Sequence, residues 1–308
     1  MPQYPQSALL TIDSLALFAD YYELTMGQAD FDRGNNSICT ENYFIRKIPQ
    51  GNYLVVAGLE QAIHYILNLK FTDADLAWLQ SGPPGSELSD HFINYLRNFK
   101  FDGDVYAMPE GSLAFANEPI INITGRSIDI QIFETYLLSV MNFQTLIATK
   151  AARVVQSANG RTCFDFGARR AHGRDAAILA ARASFIGGAK GTSLVVAGKY
   201  FDIPYMGTMA HKFIQDSPSE LQAFRDYAGT FPHDTILLID TYDTVAAARL
   251  IVSAGLRPAA VRVDSGDLAG LSAAVRAVLD AGSLQETKIL VSGDLDEHRV
   301  AALVASGA

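Results

Sequence analysis

The chain has 308 residues, nearly half of them apolar and about a fifth charged, with a net charge of −9. That length admits one large α/β domain, or a barrel beside a smaller domain. The acidic balance argues against nonspecific nucleic-acid binding, which needs a broad Lys/Arg face. The start, MPQYPQSALLTIDS, has neither a basic leader nor an unbroken apolar core, so no signal peptide is expected. The uncharged run inside 134–150 is too short and too polar to span a membrane. Two cysteines, Cys39 and Cys163, make neither a disulfide framework nor a metal-ligand spacing, which suits a soluble protein of the reducing cytoplasm.

In chain order, residues 1–12 read as a loose arm. A helix is predicted to start at Asp20, with its carboxylate capping the first turn and Glu23 three residues on as in a capping box. Tyr21 and Tyr22 then lie in that turn, as anion-side residues or simply as packing residues with wet hydroxyls. The pattern predicts strands over 39–48 and 51–58 and helices over 59–69 and 71–80, the latter started by Thr72 before an acidic turn. SGPPGS at 81–86 marks a loop. His64 and His91 sit beside aromatics without a second ligand at metal spacing and read as structural. Short strands are expected over 104–122 and 123–130, and a long amphipathic helix over 134–150.

Beyond residue 150 the pattern becomes short apolar strands alternating with Ala-rich helices. Strands are predicted at 162–166, 194–197, 236–239, 260–263 and 288–291, and helices at 175–185, 220–227, 244–254, 268–281 and 297–305. Such alternation implies parallel strands. Asp240, Asp264 and Asp294 fall just past the ends of apolar runs, as the active rim of a barrel requires. The expected architecture is therefore α/β: an α+β domain over 1–125, then an irregular α/β barrel over 126–308. The alternation breaks off at VASGA where another strand is due, so the barrel is expected to be incomplete at its C-terminus.

Charge singles out one segment. From Lys150 to Lys212 there are ten Lys/Arg against three Asp/Glu, and fourteen against thirty elsewhere. Cations gathered in one part of an acidic chain mark either an anion site or a solvated basic face. Arginines at the ends of apolar runs favour the former. VRVDSGD at 261–267 runs a strand into Asp264, Ser265, Gly266 and Asp267 and then a helix. Gly266 permits the tight turn, amides near Asp267 can meet an oxyanion, and the carboxylates can hold a sugar diol or hydrated Mg²⁺. DTYD at 240–243 repeats the arrangement one unit earlier. His211, on a loop after the apolar run FDIPYM, is a base, a metal ligand, a phosphoryl acceptor or a structural histidine.

Read together, ADYYELTMGQ (19–28), FIRKIP (44–49), FDFGARRAHG (164–173), GGAKGTSLVVAGKYFDIPYMGTMAH (187–211), DTYDT (240–244), VRVDSGDL (261–268) and SGDLDE (292–297) resemble the nicotinate phosphoribosyltransferase family, in its motif order and over nearly the whole chain. The resemblance implies a dimer with shared active sites. It also implies transfer of phosphoribose from 5-phosphoribosyl 1-diphosphate to nicotinate, coupled to ATP hydrolysis through a phosphohistidine, with Mg²⁺ carried on the diphosphate and Asp264 as a candidate ligand. By the same resemblance His211 is the phosphorylated histidine, and Phe166 and a neighbouring subunit's Tyr22 sandwich the pyridine ring. Thr208 and Arg262 contact nicotinate, Arg169 lies near the ring and phosphates, and Arg170 near the diphosphate. Asp240 and Asp264 surround the ribose and its magnesium diphosphate, and Ser265, Gly266 and Asp267 join the phosphate site.

Ser193 stands where related nicotinamide enzymes resemble this chain but carry aspartate. A serine can donate to a carboxylate that an aspartate would repel, so nicotinate is the expected substrate. Lys212 departs from the small or acidic residue of many relatives, and the family's glycine-rich phosphate loop is expected beyond SGA. A non-catalytic pyridine-binding fragment of the same fold is the alternative from another class. Nicotinamide transfer is disfavoured by Ser193, and quinolinate transfer by its need for more cations and no phosphohistidine.

Overall fold

The computed structural model describes residues 12–48, 53–82 and 88–307. Most of the expected arm and loop, and the start of the strand expected at 51–58, lie outside the described residues. The chain forms two compact units that interleave: residues 1–152, 165–189 and 199–203 make the first, and 153–164, 190–198 and 204–308 the second. The single division expected at residue 125 is not how the contacts fall, because the helix that follows buries Leu137, Val140 and Met141 in the first unit's core.

The first unit contains α1 (Tyr21–Asp32), β1 (Ile38–Tyr43), β2 (Leu54–Val55), α2 (Leu59–Asn68), α3 (Asp73–Gln80), α4 (Asp90–Arg97), β3 (Asp104–Ala107), β4 (Leu113–Ala114), β5 (Ile121–Arg126), α5 (Ser127–Ile130), most of α6 (Glu134–Ser157), and α7 (Arg174–Ile186). β5 lies between β1 and β3 and is antiparallel to both, with Ile123 opposite Glu41 on one side and Val105 on the other. Its buried residues alternate, Ile121 and Ile123 pointing inward, as a strand with one covered face requires. The core beneath is aromatic: the Phe133 ring meets Tyr65, Phe99 and Phe101 edge-on at 5.1–6.1 Å.

Two helix starts show local signals winning and losing. Thr72 caps α3 through a complete capping box with Asp75. Asp20 precedes α1 as expected but caps nothing. Its backbone N–H donates to Thr135 Oγ at 3.1 Å, and that hydroxyl donates to Glu23 Oε1 at 2.6 Å. A partner more than a hundred residues away has taken the group that the box needed. Glu23 is fully buried, and its carboxyl is pushed above the usual range by desolvation and by nearby Glu134 and Asp20, against hydrogen bonds from Thr135.

The second unit contains the start of α8 (Val195–Phe201), then α9 (His211–Gln215), α10 (Glu220–Thr230), β6 (Ile236–Leu238), α11 (Thr244–Ser253), β7 (Ala260–Val263), α12 (Leu268–Ala281), β8 (Lys288–Val291) and α13 (Glu297–Ala305). The order β6-β7-β8 is parallel throughout, with Leu238 opposite Arg262 and Arg262 opposite Leu290. Leu237, Leu238, Val261 and Val263 are buried in one cluster with Ala247, Ile251, Val275 and Leu279 from the crossover helices. Such strands read as unbroken apolar runs, which is why they were legible.

Three expectations are corrected here. The segment 194–197 is helical, because Leu194 begins a turn closed by Ala197 N–H to Leu194 O. The segment 162–166 has a single bridge residue, Asp165, and belongs to no named strand. Residues 127–130 are a helical turn, where a strand had been predicted to run to 130. The described residues of this unit show a three-stranded parallel sheet and one further parallel bridge, Thr192 with Tyr205.

Candidate active site

The carboxyl ends of β6, β7 and β8 deliver Asp240, Asp264 and Ser292 side by side, since parallel register aligns strand ends. Arg262 is the half-buried exception on β7, and its guanidinium organises the cluster. Nε–H donates to Ser292 Oγ (2.7 Å), Nη1 to Thr208 Oγ1 (2.9 Å) and Nη2 to Asp264 Oδ1 (2.5 Å). The Ser292 hydroxyl donates to the same Asp264 oxygen. Burial works against the Asp264 charge, but the Ser292 and Arg262 hydrogen bonds and nearby His211 outweigh it, holding the carboxyl below its usual range.

Asp240 Oδ2 accepts the Asp264 N–H (3.0 Å) and the Ser265 hydroxyl (2.5 Å). Asp240 Oδ1 is buried with no hydrogen-bond partner. An orphaned carboxylate oxygen in a polar cluster carries a desolvation cost that a cationic group would relieve. Gly266 turns the chain at φ +78°, and Asp267 accepts the Gly270 N–H at 3.2 Å, so its carboxylate caps α12.

His211 was expected on a loop but is the first residue of α9. Nδ1 lies 3.1 Å from Thr241 Oγ1, and Nε2 lies 3.9 Å from Asp264 Oδ2. Lys212 forms an ion pair with Asp216 one turn on. Ser193 is half-buried in the turn after Thr192, where Thr192 N–H donates to Pro204 O and Met206 N–H to Thr192 O.

Thr208, His211, Asp240, Arg262, Asp264 and Ser265 are thus brought into one bonded set, with Gly266 and Asp267 following directly. Ser193 belongs to the same unit. Tyr22, Phe166, Arg169 and Arg170 belong to the first unit. There Tyr22 is about half exposed in the first turn of α1, its hydroxyl pKa raised by burial and by Glu134 and Glu23. Phe166 is half-buried, and Arg169 and Arg170 are exposed on a short turn over Ala168–Arg170. Two residues that the sequence reading gave no role, Thr241 and Ser292, complete the cluster. Their signal was position: each stands immediately after a strand end or its aspartate, inside a motif already singled out.

Among the described residues no group of three or more His, Cys, Asp or Glu could hold a metal ion. An ion that arrives on a diphosphate needs few protein ligands. Asp264, the expected ligand, has Oδ1 doubly engaged.

The fold is that of pyridine-nucleotide phosphoribosyltransferases. The crystal structure of human nicotinic acid phosphoribosyltransferase superposes with a TM-score of 0.83 at 28% identity, over 94% of this chain and 71% of that one. Nicotinate-nucleotide pyrophosphorylase from Pyrococcus furiosus shares the fold, with a TM-score of 0.81 at 24% identity over 98% of this chain and 72% of that one. Residues 17–142 match the family model for the nicotinate phosphoribosyltransferase N-terminal domain. Similar curated proteins include nicotinate phosphoribosyltransferase pncB2 of Mycobacterium tuberculosis, 42% identical over 94% of this chain and 64% of its own length. The Bacillus subtilis nicotinate phosphoribosyltransferase is 44% identical over 96% of this chain and 61% of its own. The chain is similar to nicotinate phosphoribosyltransferases over nearly its whole length, and it spans a little under two thirds of the length of these two curated relatives.

Proposed function

We propose that this chain carries the transfer site of a nicotinate phosphoribosyltransferase acting in the cytoplasm. The ring nitrogen of nicotinate bonds to C1 of 5-phosphoribosyl 1-diphosphate as the C1–O bond breaks, giving nicotinate mononucleotide and diphosphate in a step of NAD synthesis. The carrying observation is the Arg262 cluster at the ends of three parallel strands.

Arg262 and Thr208 meet the nicotinate carboxylate, a planar anion suited to a guanidinium fork, and Ser193 donates to it. Phe166 and Tyr22, the latter from a neighbouring subunit of a homodimer, stack on the ring. Positive charge grows on the ribose as diphosphate leaves, and Asp240 stabilises it with the oxygen that no protein group engages. Arg169, Arg170 and the amides around Ser265 and Gly266 hold the diphosphate. Asp264 would hold an Mg²⁺ carried on the diphosphate, and the ion would offset part of the leaving group's charge.

ATP is a co-substrate, converted to ADP and phosphate through phosphorylated His211. In the tautomer whose Nδ1–H donates to Thr241, 3.1 Å away, Nε2 carries the lone pair that accepts the phosphoryl group. The added negative charge biases the neighbouring loop toward a closed form. The test is formation of nicotinate mononucleotide from nicotinate and 5-phosphoribosyl 1-diphosphate with Mg²⁺, with and without ATP. Product is expected in both, more with ATP; no product in either overturns the reading.

A further inference from the structure

We propose that Ser292 is a positioning residue that sets the plane of the Arg262 guanidinium and the orientation of Asp264. This rests on the reading of Arg262 as the residue that meets the nicotinate carboxylate.

The direction of both Ser292 hydrogen bonds is fixed by chemistry. Arginine cannot accept, so Arg262 Nε–H must donate to Ser292 Oγ, at 2.7 Å. An ionised aspartate cannot donate, so the single hydroxyl proton of Ser292 goes to Asp264 Oδ1. One hydroxyl therefore spends a lone pair on the cation and its proton on the anion, closing a triangle with the direct Arg262 to Asp264 bond. Two donors on Oδ1 leave Oδ2 as the oxygen presented to His211.

Thr208 on Nη1 and Asp264 on Nη2 both act at the tip. Ser292 holds Nε, the atom about which the fork turns. Its loss should loosen the fork without releasing it, which sets the expected effect at about tenfold. The backbone position does not depend on the side chain: Ser292 N–H donates to Val263 O at 3.0 Å, continuing the β7–β8 ladder. Replacement of the hydroxyl should leave the fold intact.

The experiment has two readouts. In a ¹H–¹⁵N spectrum of arginine Nε–H groups, Arg262, assigned by its absence from Arg262→Lys, should give a solvent-protected signal. Ser292→Ala should abolish that protection, Ser292→Cys, similar in size but a poor hydrogen-bonder, should do the same, and Ser292→Thr should keep it. In parallel, nicotinate affinity should fall about tenfold in Ser292→Ala and Ser292→Cys and return in Ser292→Thr, with the KM for 5-phosphoribosyl 1-diphosphate unchanged. Retained Arg262 protection in Ser292→Ala and Ser292→Cys overturns the proposal, as does nicotinate binding equal to that of the parent chain. If the Nε signal responds as expected while the parent chain binds no nicotinate, the positioning role stands and the functional reading fails.

Discussion

His211 is held from both sides, with Nδ1 3.1 Å from the Thr241 hydroxyl and Nε2 3.9 Å from Asp264 Oδ2. One neighbour is neutral and one anionic, so the two nitrogens are chemically distinct. A ring that is to carry a phosphoryl group needs that asymmetry, because only one nitrogen can keep its lone pair.

Replacing His211 with Ala should remove ATP stimulation and leave slow, ATP-independent transfer. Measuring nicotinate mononucleotide formation against ATP concentration checks this. Normal stimulation in the variant would rule out the assigned role.

Asp240→Asn keeps a carbonyl oxygen able to accept from the Asp264 N–H and Ser265, but removes the charge. We expect kcat to fall about a hundredfold with KM little changed, the pattern of an interaction made mainly in the transition state. Steady-state kinetics decide it, and a pure KM effect would argue against charge stabilisation.

Gly293 has φ +106°, and a Cβ there would collide with the Asp264 carbonyl oxygen. Gly293→Ala therefore combines left-handed strain with a backbone clash, a cost of about 1–3 kcal/mol. Transfer should drop more than about tenfold as Asp264 shifts, with secondary structure by circular dichroism retained.

Arg182, 7% exposed, donates to Glu110 at 2.6 and 2.9 Å, to Glu60 and to Gln144. Glu110 also accepts the Gly58 and Leu59 N–H groups. Breaking such a buried pair strands the partner charge, so Arg182→Ala should cost about 3 kcal/mol in denaturant unfolding. Pairing it with Glu110→Gln should recover part of that loss.

Glu23 gives a pH signature. Its folded pKa is raised, chiefly by desolvation, so the native state holds a proton that the unfolded chain releases first. Its contribution to stability is full below the ordinary carboxylate range and declines as pH climbs toward the folded pKa. Glu23→Gln should flatten that segment of a stability-against-pH curve. An unchanged slope would show that Glu23 ionises normally.

How much of this was legible depended on whether the deciding contact was local. β7 and β8 are legible to the residue because each is a short, largely apolar run that ends at a polar site. Thr72 announced α3 because its partner stands three residues away. The capping box at Asp20 failed because its competitor, Thr135, is distant in sequence. The segment 194–197 reads as a strand since its valines carry β propensity, which the turn from Leu194 overrides. In the site, Arg262, Asp264 and His211 were visible through their motifs. Ser292 and Thr241 stand inside those motifs, but a hydroxyl there has no role until its neighbours are placed.

The polypeptide leaves one compact unit for the other after residues 152, 164, 189, 198 and 203. A protease nick or a cloning boundary after residue 164, 189 or 198 would leave neither unit whole, since each is stitched from separated segments. Heating or chaotrope should therefore melt both together, and calorimetry should record one endotherm where a bead-on-string arrangement would give two.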